Sequence, residues 1–320
     1  MANLLEISDL TVEYRVEGKR IVALDRVSLD MAENKGGLGV VGESGSGKTT
    51  LGLSILRLIE PPGLISRGSI EYDGKSVLGM SDKDLRQYRW EDVSMVYQSA
   101  MNSLNPVKDV LDPIVETLRI HKNIPKNDAR EKAIELLSDV GIKPNRASSY
   151  PHELSGGMRQ RVVIALALAL SPKILIADEP TSALDVVTQR QILALLRKEI
   201  QQRGLTLIFI THEISLLYGL VDNVAVMFAG EIVERGSVNK VLSKPKHPYT
   251  EMLLSTLLTL QSTKGSLDQS RGSSKESINV DINACKYSAR CKYVFDRCRK
   301  ERPALKTIED GREVACHKYN

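Results

Sequence analysis

The sequence predicts an α/β fold: a parallel core sheet with an antiparallel β subdomain, an inserted α-helical subdomain and a small Cys-containing C-terminal extension. Three observations support this prediction. A glycine-rich loop at residues 42–49 lies between a short apolar run, 38–41, and a helix start, 50–56, which is the strand, loop and helix order of a parallel α/β sheet. Residues 4–30 alternate apolar and polar side chains, as antiparallel strands do. Residues 107–147 carry apolar side chains at steps of three and four, which indicates helices.

Composition narrows the class of protein. With 320 residues, of which 42% are hydrophobic, the chain has room for one large domain and an appendage. The net charge is +4, and the 44 Lys and Arg residues are spread along the chain, so we expect no nucleic-acid partner. The longest apolar run, residues 162–170, is too short to cross a bilayer, and the first residues lack a signal-peptide pattern. We therefore expect a soluble cytoplasmic protein whose membrane role, if it has one, comes through partner chains.

The loop at residues 42–49 matches the phosphate-binding pattern G-x-x-x-x-G-K-[ST] at every fixed position. Its glycines let successive backbone N–H groups point inward, and the helix that follows presents its positive end to the same anion. Lys48 is expected to reach the β- and γ-phosphates of a nucleotide, and the hydroxyl of Thr49 to bind Mg²⁺. The residues expected to bind nucleotide here are Gly42, Ser44, Gly45, Ser46, Gly47, Lys48, Thr49 and Thr50.

The strands before and after this loop form the predicted antiparallel subdomain. Tyr14 lies on a strand expected to border the nucleotide site, where its ring could stack on adenine. The alternative is an ordinary half-buried tyrosine of a strand. Residues 67–75 predict a further strand that ends in an Asp-Gly turn on the same sheet.

Two later strands end on residues that suit catalysis at the ligand-binding edge of an α/β sheet. Residues 93–97 form a buried strand that leads to Gln98, which can touch Mg²⁺ or an attacking water; the alternative is a polar cap. Residues 173–177 lead to two adjacent carboxylates. Asp178 can hold the water shell of Mg²⁺, and Glu179 can polarise a water beside the γ-phosphate.

A third strand, residues 205–211, ends on His212, whose imidazole could hydrogen bond the γ-phosphate. Before these strands, residues 154–161 offer a second anion-binding design, because Ser155, Gly156 and Gly157 lead directly into the apolar helix at 162–170. One phosphate can occupy both designs only if a second copy of the chain brings them together.

In order and spacing, these motifs resemble the full motif set of ABC-type ATPases, and the Leu-Ser-Gly-Gly signature at 154–157 is nearly diagnostic of that superfamily. The resemblance covers roughly residues 4 to 240 and implies a P-loop NTPase (RecA-like) core. A narrower resemblance, to the dipeptide/oligopeptide permease ATPase family, is carried by residues 42–48, 103–106, 150–161 and 247–250.

This resemblance implies an ATPase that drives an importer for peptides; some relatives carry oligosaccharides or nickel. It implies ATP and Mg²⁺ bound between two ATPase subunits, identical or homologous, with the phosphate loop of one facing Ser155, Gly156 and Gly157 of the other. Two transmembrane permease subunits, coupled through the loop after Gln98, and an extracytoplasmic solute-binding protein complete the implied assembly, at the cytoplasmic face of the membrane.

The resemblance also assigns roles to single residues. Glu179 is implied as the catalytic base and His212 as the sensor of the γ-phosphate, with Gln98 beside them. Thr49, Gln98 and Asp178 are implied as the Mg²⁺ site. Tyr14 matches the position of the adenine-stacking residue, and the turn at 182–185 adds Asp185 to the nucleotide-binding set.

All four cysteines lie near the end of the sequence, in the spacing C-x5-C-x6-C-x17-C: Cys285, Cys291, Cys298 and Cys316. A cytoplasmic compartment disfavours stable disulfides, so clustered thiols favour metal ligands. The close Cys pairs typical of structural zinc are absent, and some permease ATPases have a similar tail that carries [4Fe-4S]. We therefore expect a [4Fe-4S] cluster, with zinc, free thiols or disulfides as alternatives.

The expected domain boundaries follow from these patterns. Residues 1–245 form the ATPase domain, with the helical subdomain at about 99–155. Residues 246–320 form a C-terminal extension, in which a polar linker at about 261–280 precedes the four-Cys segment 285–316. Two other functions are the alternatives on the same motifs. A soluble ABC protein that acts on DNA or the ribosome would usually have two cassettes or a long coiled-coil insertion, whereas this chain has one cassette and a short interval between Gln98 and Ser155. A regulatory module without turnover would lack Glu179 or His212, and both are present.

Overall fold

The computed structural model of the chain describes residues 3–33, 36–98, 100, 103–261, 283–308 and 311–319. A four-stranded antiparallel sheet has the order β2-β1-β4-β5, and an eight-stranded mixed sheet has the order β11-β12-β10-β9-β3-β8-β7-β6. The strands are β1 Asn3–Val16, β2 Lys19–Ala32, β3 Leu38–Val41, β4 Gly63–Tyr72, β5 Lys75–Ser76, β6 Val93–Val96, β7 Ile174–Asp178, β8 Thr206–Thr211, β9 Asn223–Phe228, β10 Glu231–Ser237, β11 Lys306–Thr307 and β12 Glu313–Val314.

Helices connect many of the strands, and some of them form the predicted helical region. They are α1 Lys48–Ile55, α2 Asp82–Gln87, α3 Asp112–Lys122, α4 Lys126–Asp139, α5 Gly156–Leu168, α6 Val186–Arg203, α7 Val238–Ser243, α8 Pro248–Gln261 and α9 Asp296–Lys300. Two of them, α3 and α4, pack on each other and on α5. The α/β class with an antiparallel sheet and a helical subdomain is therefore confirmed.

The larger sheet is buried on both faces, which explains its nearly continuous apolar strands. Along β8, Ile208 and Ile210 pack into a core shared with the antiparallel sheet and α1. The intervening Leu207 and Phe209 pack into a second core with the helical subdomain. This alternation fixes which face of the sheet each residue of β8 occupies. Strands β3, β6, β7 and β8 run parallel, so their carboxyl ends lie at one edge of the sheet.

The C-terminal segment, residues 283–308 and 311–319, packs back on the ATPase core. Its strand β12 extends the large sheet by pairing with β10, with Val314 opposite Glu234 and Glu313 opposite Arg235. Nearly all of the expected linker at about 261–280 lies outside the described residues.

Candidate functional site

The phosphate loop connects the end of β3 to the start of α1 in a space that admits only glycine at two positions. A Cβ atom on Gly42 would lie 2.2 Å from the carbonyl oxygen of Met227, and one on Gly47 would lie 2.5 Å from that of Ala23. Gly47, the residue before α1, also has a left-handed backbone, φ 99°. Because glycine has no Cβ, the loop can lie this close to β2 and β9. Helix α1 begins directly after Gly47, at Lys48.

The amine of Lys48 is held inside the loop. The side chain is buried, and Nζ donates to the carbonyl oxygens of Gly42 at 2.8 Å and Glu43 at 2.9 Å. Burial lowers the pKa of Lys48, while the nearby charges of Glu179, Asp178 and Glu43 oppose that shift. Within the described part of the chain the amine bonds to these two carbonyl oxygens, and it can exchange those bonds for a phosphate.

The rest of the loop is open or incompletely bonded. Ser46 is buried, and its Oγ has no hydrogen-bond partner among the described residues. Ser44, Gly45 and Thr49 are exposed at the rim, and Thr50 is half-buried in the first turn of α1, where its carbonyl accepts a hydrogen bond from Ser54. A buried hydroxyl without a partner is costly, so this cradle fits a ligand rich in acceptor oxygens.

Asp178 ends β7 beside this loop. It is almost fully buried, and its Oδ1 is also without a partner among the described residues. Burial raises the pKa of Asp178; a hydrogen bond with Thr49 and the charge of Lys48 act in the opposite direction. A hydroxyl and a carboxylate that meet in this way, with one oxygen unbonded, are the hard oxygen donors that suit Mg²⁺.

Glu179 is the centre of a hydrogen-bonded group formed at the ends of three adjacent strands. Gln98 Nε2 donates to its Oε2 at 3.1 Å, and His212 Nδ1 lies 2.9 Å from its Oε1. These three residues follow β6, β7 and β8, which are neighbours in the sheet. Glu179 also has a left-handed backbone, φ 46°, a conformation that costs free energy for a non-glycine residue. The structure thus brings together the three residues expected to be catalytic.

The signature residues lie in a different environment. The hydroxyl of Ser155 caps α5 and accepts a hydrogen bond from the backbone N–H of Met158 at 3.4 Å. Gly156 is exposed, and a Cβ atom on Gly157 would lie 2.3 Å from Cγ2 of Thr188 in α6. The phosphate loop packs on β2 and β9, whereas these residues pack on α6 and leave the start of α5 facing solvent.

Asp185 and Tyr14 have structural contacts of their own. Asp185 caps α6 by accepting hydrogen bonds from the N–H groups of Val187 and Thr188, both at 3.0 Å. Tyr14 is half-buried on β1, and its ring lies against Gly63 of the neighbouring strand. Their roles toward a nucleotide stay predictions.

The cysteine segment corrects the sequence-based expectation of a [4Fe-4S] cluster. Among the described residues there is no group of three or more His, Cys, Asp and Glu side chains arranged to hold a metal ion. The thiols are free and line a cavity of about 20 Å³; they are Cys285, Cys291, Cys298 and Cys316. Burial raises the pKa of Cys285 to about 11 and also raises that of Cys291 and Cys316. The thiolate is the form that binds metal, and this apolar surrounding disfavours it.

One contact of the phosphate loop was not anticipated from the sequence. Arg290 makes two hydrogen bonds to the carboxylate of Glu43, at 2.9 and 2.7 Å, and the hydroxyl of Tyr249 accepts from the backbone N–H of Glu43 at 2.8 Å. Tyr249 belongs to the His-Pro-Tyr-Thr motif at 247–250, which the sequence singled out without a role. Arg290 had no such signal: it lies in the four-Cys segment, beside Cys291, and no motif of the sequence includes it.

Comparison with known proteins agrees with this geometry. Residues 24–182 match the family described as ABC transporter, and residues 233–298 match the family described as Oligopeptide/dipeptide transporter, C-terminal region. The dipeptide transport ATP-binding protein DppD of Escherichia coli K12 is 40% identical over 98% of this chain and 96% of its own length. The oligopeptide transport ATP-binding protein AppD of Bacillus subtilis 168 is 39% identical over 100% of this chain and 98% of its own length.

Solved structures support the same fold. The dimeric ATP-binding cassette MJ0796, in a post-hydrolysis state bound to ADP and Pi, aligns with a TM-score of 0.66 and 29% sequence identity, covering 73% of this chain and 98% of that one. The part of the chain that the structure describes contains no helix both long and apolar enough to cross a membrane. The fold, the site and the full-length similarity lead to one assignment: the chain belongs to the ABC transporter family, among the ATP-binding proteins of dipeptide and oligopeptide transport.

Proposed function

We propose that this chain is the ATP-hydrolysing subunit of an importer that takes up dipeptides or oligopeptides. The observation that carries the proposal is the Gln98–Glu179–His212 group, held at the ends of three neighbouring strands next to the phosphate loop. A carboxylate with polar partners on both sides, beside a buried lysine in a phosphate loop, suits transfer of a phosphoryl group to water.

Each residue of the site has a proposed role in ATP hydrolysis. The loop at 42–49 binds the phosphates of ATP through its backbone N–H groups, and Lys48 exchanges its carbonyl partners for the β- and γ-phosphates. Glu179 accepts a proton from the attacking water, while Gln98 and His212 hold its carboxylate in place. Thr49, Gln98 and Asp178 would hold Mg²⁺, which when bound neutralises charge on the transferred phosphoryl group. Tyr14 is proposed to stack on adenine.

The open start of α5 supports pairing of this chain with a second ATPase subunit. Ser155, Gly156 and Gly157 are proposed to close the site of a second ATPase subunit, which is either a copy of this chain or a homologue of it, and Asp185 is proposed to lie at that interface. Two permease subunits and an extracytoplasmic solute-binding protein are the further partners, with this chain at the cytoplasmic face of the membrane. The peptide cargo is inferred from the names of the relatives.

Substitution of the proposed base tests the chemistry. We expect Glu179→Gln to lower ATP hydrolysis by at least about a hundredfold, because the amide cannot accept the proton. ATP binding and ATP-dependent pairing of subunits should persist, since the phosphate loop and the start of α5 are unchanged. Phosphate release and size-exclusion chromatography with ATP measure the two properties.

The matched control is Glu135→Gln, which changes an exposed glutamate of α4 and should leave hydrolysis at the wild-type rate. Appreciable turnover by Glu179→Gln would contradict the assignment of the base. The cargo is tested separately, by uptake of a labelled dipeptide in cells that express the partner subunits with either the wild-type chain or Glu179→Gln. Uptake that does not differ between them would contradict the transport proposal.

A further inference from the structure

The residue Glu43, in the phosphate loop, is bonded from three directions. Its backbone N–H donates to the hydroxyl of Tyr249, its carbonyl oxygen accepts from Lys48, and its carboxylate takes both hydrogen bonds of the Arg290 fork. It is not one of the fixed residues of the phosphate-binding pattern. Because these partners bond both the backbone and the side chain of Glu43, they restrict the conformation of the loop at this residue.

Arg290 is held in place by packing as well as by charge. Its guanidinium lies over the rings of Phe228 and Tyr287, 5.6 and 5.7 Å from their centres. Tyr249 packs on the same two rings, at 4.7 and 5.5 Å between ring centres. A planar guanidinium that is stacked and makes a two-bond fork loses little freedom on binding, so this ion pair is stronger than an ordinary surface pair.

A second connection reaches the other end of the loop. The carbonyl oxygen of Ser46 accepts a hydrogen bond from the N–H of Gly230 at 3.0 Å. Lys286 of the C-terminal segment donates to the carbonyl oxygen of the preceding Ala229 at 2.9 Å, and it pairs with Glu231 at 3.0 Å. The C-terminal segment thus contacts the loop directly, through Arg290 and Glu43. It also contacts the loop indirectly, because Lys286 bonds the turn at 229–230 that in turn bonds Ser46.

We propose that Arg290, together with Tyr249, is a positioning residue for ATP, and that it sets the phosphate loop in its binding shape through Glu43. The proposal rests on the proposed function, because it concerns the same ATP site. The backbone N–H of Glu43 is bonded to Tyr249 and so does not point at the phosphates. Arg290 holds the carboxylate of Glu43 away from the phosphate-binding side of the loop. The remaining N–H groups and Lys48 then face the phosphates from a loop that is already ordered, which reduces the entropy cost of binding.

The test is ATP binding by the purified full chain, measured by isothermal titration calorimetry with MgATP. We expect Arg290→Ala to weaken ATP binding by about threefold to tenfold, the range for loss of a well-formed but partly exposed ion pair. In hydrolysis assays KM for ATP should rise by a similar factor with kcat unchanged, since Gln98, Glu179 and His212 keep their contacts. Tyr249→Phe, which removes only the acceptor oxygen, should shift KM in the same direction.

Matched variants separate positioning from a loss of folding. Lys292→Ala removes a neighbouring charge of the same segment that pairs with Glu251 in α8, and it should bind ATP as the wild type does. Arg290→Lys keeps the charge without the fork and should lie between the wild type and Arg290→Ala. The exchanged pair, Glu43→Arg with Arg290→Glu, should recover part of the affinity that either change alone removes.

The outcomes distinguish this proposal from the function on which it rests. A wild-type chain that does not bind ATP would contradict the proposed function itself. A wild-type chain that binds ATP, with Arg290→Ala and Tyr249→Phe binding equally well, would overturn only the positioning role. The positioning role would also be overturned if Lys292→Ala loses as much affinity for ATP as Arg290→Ala does. A fall in kcat of Arg290→Ala with KM unchanged would overturn it as well.

Discussion

His247 is a buried histidine whose surroundings favour the neutral ring. The N–H of Tyr249 donates to its Nδ1 at 3.1 Å, and the ring also bonds the backbone of Ala315. The backbone N–H of His247 donates to Oε2 of Glu234 at 2.9 Å. Burial is the dominant effect and lowers the pKa of His247 to about 4, although the bond to Ala315 by itself raises it.

This pKa predicts an acid-sensitive fold. The unfolded chain takes up a proton at His247 below about pH 6.5, whereas the folded chain does so only near pH 4. The stabilisation is therefore complete above pH 6.5 and is lost as the pH falls toward 4, by about 2 kcal/mol between pH 7 and pH 5. Urea unfolding at the two pH values measures the change in the free energy of unfolding.

A variant comparison isolates this histidine, because other groups also titrate. Burial raises the pKa of Glu234, which acts on stability in the opposite direction. In His247→Gln the loss between pH 7 and pH 5 should be smaller than in the wild type by about 2 kcal/mol. The control His152→Gln, at an exposed position, should keep the wild-type pH dependence. An unchanged pH dependence in His247→Gln would refute the assignment.

Single residues show what sequence patterns can and cannot predict. Gln98, Glu179 and His212 were predictable as a group, because each follows a recognisable buried strand and parallel strands end at one edge. The Arg290–Glu43 pair was not predictable, because 247 positions separate its members. The metal prediction for the cysteines was wrong because spacing along the sequence does not report how the side chains are arranged in the fold, and the described residues contain no group of three or more side chains arranged to hold a metal ion.

At the scale of elements, the presence of a helix after the signature residues was readable from the sequence. The apolar run at 162–170 predicted this helix, and α5 starts earlier, at Gly156, with Ser155 as its cap. The left-handed turn at Glu179 and the bonding of α8 to the phosphate loop depend on tertiary contacts, which local patterns do not contain. Strand order in the larger sheet likewise depends on which neighbours each strand finds in the folded chain.

The cap of α6 yields a prediction that separates two roles of one residue. Asp185→Ala removes the acceptor for two N–H groups of the first turn, so we expect the thermal midpoint to fall by about 2 °C. Asparagine caps as well as aspartate does, so Asp185→Asn should keep the wild-type midpoint. If Asp185 also acts at the nucleotide site through its charge, Asp185→Asn will lose ATPase activity while staying stable. Scanning calorimetry and phosphate release measure the two effects.

At the scale of the whole molecule, the core and the C-terminal segment are joined at several places. We propose the division into an ATPase domain, 1–245, with its helical subdomain at about 99–155, and an extension, 246–320. The extension is nevertheless attached to the core, since β12 pairs with β10 and Arg302 pairs with Asp25 at 3.0 Å. A segment bound in this way can affect ATP binding at the phosphate loop without contributing a catalytic group.

Sites shared between two chains can be tested by mixing two inactive variants. If each site joins the phosphate loop of one chain to Ser155 of another, Lys48→Ala and Ser155→Arg should each abolish hydrolysis when present in both chains. A mixed pair contains one site with both defects and one site with neither. Random mixing makes half of the pairs mixed, so the mixture should recover about a quarter of the wild-type rate when this chain pairs with itself. Phosphate release from equal amounts of the two variants, with each alone as the control, measures this recovery. A mixture that stays as inactive as its components would contradict sites shared between two copies of this chain.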